Sequence, residues 1–148
     1  MLRLLLPVVL LALAPYLSTA RADPLLTEPL SINGHTLRAE VASSDAERRR
    51  GLMFRQALAE DQGMIFIYPR QGTYSMWMKN TPIALSVAFI DAAGKILNIA
   101  DMMPLSEQAH GAAGEALYAL EMRQGWFKRN GIRAGHKVHG LNRLPKAE

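Results

Sequence analysis

From Met64 onward the apolar runs of this chain are short, and each closes on a turn signal. Met64 to Tyr68 ends at Pro69-Arg70-Gln71-Gly72, and Ile83 to Ile90 ends at Asp91-Ala92-Ala93-Gly94. Runs of about five to eight residues bounded by Gly, Pro and Asp have strand length and fall short of an amphipathic helix. Further strands are expected at Tyr74 to Met78, Lys95 to Ala100, Ala116 to Met122 and His136 to Leu141. Upstream, Leu30-Ser31-Ile32 and His35 to Val41 flank Asn33-Gly34. That dipeptide supplies the positive φ of a type I′ turn, so a hairpin is expected. Leu37, Ala39 and Val41 alternate with Arg38 and Glu40, which gives the second strand one buried and one wet face.

Two places read as helix. Ser44-Asp45-Ala46-Glu47 is a capping box, in which the Ser hydroxyl takes the N3 amide and the Glu carboxylate reaches back. The helix it starts should run through Arg48-Arg49-Arg50 and stop at Gly51, a C′ residue or a close-packing point. Gly125 to Gly131 reads as a short helical turn. The expected fold is α+β and mainly β: a small compact barrel-like or strongly bent antiparallel or mixed sheet, with one or two short helices packed on it.

The first 22 residues are of another kind. Arg3 precedes an apolar run from Leu4 to Ala14, and Ala20-Arg21-Ala22 has the small-x-small pattern of a cleavage site. Eleven residues are short for a bilayer core of roughly 30 Å. We expect a signal peptide over residues 1–22, cleaved near Ala22, and a periplasmic or secreted product. Residues 23–29 then form an exposed leader, 30–142 a single globular domain and 143–148 a C-terminal tail. The chain has no cysteine, so the domain must stand on its core alone. Losing Arg3 and Arg21 would leave only +2 of the formal +4 charge, a weak basis for nucleic-acid binding. A monomer without a transmembrane segment in the mature chain is expected.

The polar group Lys79-Asn80-Thr81 sits between two apolar runs, beside Met76, Trp77 and Met78. It reads either as a structural corner with Trp77 in the core, or as a set of donors beside an apolar wall. The binding surface expected on the second reading comprises Arg55, Trp77, Lys79, Asn80 and Thr81, walled by Met53, Phe54 and Met76. Arg55 is a fork-shaped donor for a carboxylate, on a ligand or on Asp61 or Glu121 of the chain itself. Arg48-Arg49-Arg50 reads as a solvated helix face or as a patch for an anionic lipid or polysaccharide.

Enzymatic and metal chemistry have less support. There is no Cys nucleophile, no Gly-x-Ser-x-Gly elbow, no Walker loop and no His-Glu-x-x-His, so no cofactor or metal is expected. Asp91, Asp101, Glu115 and Glu121 are the acids or bases available to a hydrolase or transferase acting on a cell-envelope substrate. That reading requires two of them in one cleft. Thioethers suit Cu(I), and Met76, Met78, Met102, Met103 and His110 are the candidates for metal handling. However, Met53, Met64, Met78 and Met122 lie in apolar runs where Met is ordinary core filler. His136 and His139 would face opposite sides of a strand, against chelation by the pair.

RGLMFR (Arg50 to Arg55), DQGMIFIY (Asp61 to Tyr68), MWMKNTPIALSVAFID (Met76 to Asp91) and YALEMRQGWFKRNGIRAGHKV (Tyr118 to Val138) occur in that order. Together they resemble the prokaryotic family known as domain of unknown function 192, over about residues 30 to 142. The resemblance implies a small, often exported single domain with a compact β-rich α+β fold. It implies no established activity and no assigned catalytic residues. Members tend to carry Asp where this chain has Ser86, and an aromatic residue where it has Met76. An enzyme reading resting on a carboxylate at position 86 is therefore weakened. The expected role is a non-enzymatic module that binds a small polar or anionic ligand or a cell-envelope component.

Overall fold

The computed structural model describes residues 24–148; the signal peptide expected over residues 1–22 lies outside them. β1 (Thr27–Ile32) and β2 (His35–Ala42) form the hairpin, with Asn33 at φ 50° and Gly34 at φ 80°. β1 starts three residues before the expected domain boundary, inside the stretch read as leader. Thr27 pairs with Glu40, and the Val41 N–H donates to the Leu26 carbonyl at 2.8 Å. Pro29 is tolerated because the other neighbour of β1 reaches only Ser31 and Ile32.

Helix α1 (Asp45–Arg50) follows, with the complete capping box between Ser44 and Glu47. The Ser44 N–H donates to the Glu47 carboxylate at 2.8 Å, and this bond holds the carboxyl below its ordinary pKa. β3 (Gln62–Gly72) then pairs parallel to β2, so residues 43–61 form a crossover that carries α1. The remaining strands are β4 (Ser75–Met76), β5 (Leu85–Ile90), β6 (Ile96–Met102), β7 (His110–Gly111), β8 (Ala116–Arg123) and β9 (Val138–His139). Helix α2 (Trp126–Arg129) lies between β8 and β9. The seven-stranded sheet runs β6-β5-β8-β3-β2-β1-β9, and β4 pairs with β7 separately.

The sheet curls until its ends meet. Lys137 bridges Lys95, the Ile96 N–H donates to the His136 carbonyl at 2.9 Å, and the Val138 N–H to that of Gly94 at 2.8 Å. Inside the curl lie Leu30, Ile32, Leu37, Val41, Ile65, Ile67, Ile90, Leu120 and Val138. Trp126 and Phe127 of α2 join them in edge-to-face contact, and the Trp126 indole N–H donates to Asp61 at 3.0 Å. The fold is α+β and mainly β, a strongly curled mixed sheet with two short helices.

A second apolar layer covers the opposite side of the central strands. Met64, Phe66 and Tyr68 of β3, with Leu85, Val87 and Phe89 of β5, pack under Leu52, Leu58, Met78 and Met102. β5 is buried along its whole length, as a strand covered on both sides must be. Two expectations change here. The strand read over Tyr74 to Met78 is only Ser75–Met76, because its partner, His110–Gly111, is equally short. Trp77 does not enter the core: it is 48% exposed, and Trp126 is the tryptophan that is fully buried.

Candidate functional site

A cleft of about 580 Å³ opens in the outer layer, between α1, the Gly51-Leu52-Met53 turn and the Pro69–Trp77 segment. That size suits a small-molecule ligand. Gly51 shapes one wall. Its φ of 46° ends α1, and a Cβ there would lie 3.2 Å from the Phe66 ring. Tyr68 and Tyr74 shape another, stacked with ring centres 3.6 Å apart. The Tyr68 hydroxyl donates to the Met76 sulfur at 3.5 Å, and the Tyr74 hydroxyl to the Arg70 carbonyl at 2.7 Å. Met53, Met76 and Trp77 give the cleft an apolar side.

Glu121 lies at the base. β8 places it opposite Met64 of β3 and Val87 of β5, so its side chain belongs to the outer apolar layer. It is 3% exposed, and no described residue hydrogen-bonds its carboxyl. Among the described residues no fully sealed side-chain oxygen or nitrogen lacks a partner. The carboxyl of Glu121 therefore reaches the cleft that it lines. Burial pushes its pKa up to about 8, so it is largely protonated at neutral pH. Burial, and then proximity to Glu121, also raise the Tyr68 phenol above its ordinary value.

The rim is cationic. Arg48 is a structural clamp: it donates to the carbonyls of Ser43, Ile67 and Glu148, with 3.0 Å to Ile67 and 2.9 Å to Glu148. Arg49 pairs with Asp45 at 2.6 Å. Arg50 and Arg70 are exposed and make no ion pair among the described residues. The arrangement offers an apolar slot with a neutral acid at one end and two uncommitted guanidiniums at the other.

The residues singled out from the sequence do not all meet here. Met53, Met76, Trp77 and Thr81 line this cleft. Arg55 lines a separate cleft of about 790 Å³ beside β2 and pairs with Glu40 at 2.5 Å, rather than with Asp61 or Glu121. Lys79 and Asn80 are exposed on a turn next to Trp77. The Lys79 ammonium sits 5.2 Å from the Trp77 ring centre and 3.5 Å from Glu107. Asn80 has φ 54°, a left-handed conformation that Asn tolerates. Thr81 is buried, and its hydroxyl donates to the Lys79 carbonyl at 3.1 Å.

The four carboxylates weighed for catalysis are dispersed. Asp91 accepts from the Ala93 and Lys95 amides within its own turn, at 2.9 and 2.8 Å. Asp101 accepts from the Ser86 hydroxyl, and Glu115 is exposed. Only Glu121 lines the cleft, so the two-carboxylate arrangement is corrected. The soft metal ligands scatter as well: Met76 faces His110 across β4 and β7, Met78 and Met102 are buried, and Met103 is exposed. Among the described residues no three His, Asp or Glu side chains gather as a metal site. Glu121 carried a readable signal, being the one charge within the apolar run of Ala116 to Met122. Arg50 was singled out only within the run Arg48-Arg49-Arg50, and Arg70 carried no signal, because a long-range approach brings the two to one cleft.

No curated protein matches this chain. Two solved structures are similar to it. A protein of unknown function from Novosphingobium aromaticivorans DSM 12444 is 35% identical with TM-score 0.77, covering 80% of this chain and 89% of its own. A protein from Sinorhizobium meliloti 1021, described as a "putative transcription regulator", is 31% identical with TM-score 0.78, covering 82% of this chain and 98% of its own. Among the described residues no helix is long and apolar enough to cross a membrane. The family model of DUF192, described as "Uncharacterized ACR", matches residues 28–140, and the chain belongs to that family.

Proposed function

We propose that this chain is a non-enzymatic binding module of the cell envelope, and that its ligand is a small amphipathic anion held in the cleft over Glu121. The observation that carries this reading is the Glu121 carboxyl itself, buried and open to the cleft without a partner among the described residues. A neutral acid in that position is a hydrogen-bond donor waiting for an acceptor. Leu52, Met53, Phe66 and Trp77 would cover an apolar body, and Arg50 and Arg70 would hold an anionic end.

Thermal shift followed by titration calorimetry tests it, using aromatic and medium-chain carboxylic acids and phosphate monoesters. Binders should raise the melting temperature of the parent and lose at least tenfold in affinity with Arg50→Ala plus Arg70→Ala. No shift from any of these ligands would end the proposal.

A second reading is favoured by the same carboxyl, since a pKa near 8 suits a general acid or base. It needs a bound ligand that is turned over. Mass spectrometry of any binder after prolonged incubation separates the two, because a binding module returns it unchanged.

A further inference from the structure

Three loops meet beside the mouth of the cleft, and each presents a large apolar side chain to water. The Asn80 carbonyl accepts from the Phe54 N–H at 2.7 Å, and the next carbonyl, of Thr81, accepts from the Leu105 N–H at 3.0 Å. The Met78 N–H donates to the Ser106 carbonyl at 2.8 Å, closing the third side. Phe54 is 65% exposed, Leu105 61% and Trp77 48%, and Met103 on the Leu105 loop is exposed as well. Phe54 and Leu105 also hold positive φ, at 65° and 62°. Bulky residues rarely adopt that conformation, and here it holds two apolar side chains away from the protein.

Cations stand around these tips. Lys79 shares the turn with Trp77, while Arg50 and Arg70 line the cleft that Trp77 and Met53 also line. The acidic neighbours are Glu107 on Lys79, and Asp45, which pairs with Arg49. Arg55, next to Phe54, is held by Glu40.

We propose that these three loops dock on the surface of a bilayer containing anionic phospholipid, with Phe54, Trp77 and Leu105 entering the headgroup boundary and Lys79, Arg50 and Arg70 on the phosphates. Aromatic and aliphatic tips with cations on the Trp77 side match that boundary in both polarity and charge. A second copy of the chain fits less well. Four side chains of this size expose on the order of 500 Å² on each copy, short of the roughly 800 Å² that each partner of a stable dimer buries. The surface stands whether or not the cleft holds a ligand.

The test is co-sedimentation of residues 23–148 with vesicles of phosphatidylcholine, alone or mixed with phosphatidylglycerol. The solved Sinorhizobium chain consists almost wholly of the part that aligns with this one, 98% of its length, so that domain folds on its own. Parent protein should pellet with the mixed vesicles, at least tenfold more than with phosphatidylcholine alone, and less as salt rises. Its emission should shift to the blue on binding, a change arising at Trp77 because Trp126 is already buried. Phe54→Asn with Leu105→Asn should remove binding and keep the melting temperature, since Asn accepts positive φ readily. Either no pelleting with anionic vesicles or undiminished pelleting of the folded double variant would overturn the proposal. So would a parent dimer that the same two substitutions dissociate by light scattering, since that assigns the surface to a second copy.

Discussion

Ser86 and Asp101 face each other across β5 and β6, and the hydroxyl donates to the carboxylate at 2.5 Å. The same hydroxyl accepts from the Gly125 N–H at 3.0 Å, tying the start of α2 to the sheet. Ser86 is buried, so a carboxylate at this position would be desolvated and set beside that of Asp101. Ser86→Asp should therefore destabilise the fold by about 1–3 kcal/mol at pH 7, with less loss near pH 4 as the new carboxyl protonates. Urea unfolding at the two pH values measures both.

The carboxyl of Glu121 makes stability depend on pH in a defined direction. Its folded pKa is about 8 against an ordinary 4.5. Between those values the folded chain keeps a proton that the unfolded chain has released. The contribution is complete below about pH 4.5 and is lost as pH rises toward 8, at up to ~1.4 kcal/mol per pH unit. Glu121→Gln keeps the shape without the titration. Its stability should gain on the parent as pH rises from 5 to 8, read as the difference between two urea curves at each pH. Parallel curves across that window would mean that Glu121 is already ionised inside the fold at pH 5.

Gly51 ends α1 with φ 46°, and Phe66 occupies the space where a Cβ would project. Gly51→Ala should cost about 1–3 kcal/mol, from the disfavoured backbone and from the contact with the ring. It should also weaken any ligand of the cleft, because relief comes by moving Phe66 into it. Urea unfolding and calorimetry on the same preparation check the two effects.

Features set by neighbours in the chain were legible in the sequence. Asn33-Gly34 dictated the hairpin and Ser44 to Glu47 the helix start, because each motif satisfies its own backbone locally. Glu121 stood out only as the one charge within the apolar run Ala116 to Met122. The closure of the sheet through Lys95 and Lys137 was not legible, since nothing local marks a pairing between residues so far apart. The parallel pairing of β2 with β3 and the approach of Pro69–Trp77 to α1 are long-range in the same way. The cleft exists only because of that approach, which is why the surface read from the sequence contained four of its lining residues and four, Phe54, Arg55, Lys79 and Asn80, that lie elsewhere.

The two tryptophans carry the sharpest test of the fold. A strand over Tyr74 to Met78 would have buried either Trp77 or the two methionines beside it. The strand instead ends at Met76, which leaves Trp77 half in water, with the Lys79 ammonium 5.2 Å from its ring centre. Trp126 is enclosed by the inner core, in edge contact with Phe127 and bonded to Asp61. Trp126→Ala should therefore cost about 3–5 kcal/mol, from lost burial, a residual cavity and a stranded acceptor. Trp77→Ala removes exposed surface and one exposed cation contact, and should change stability by no more than about 0.5 kcal/mol. Urea midpoints of the two variants against the parent give the comparison, and a Trp77→Ala loss near that of Trp126→Ala would contradict the outward placement of Trp77.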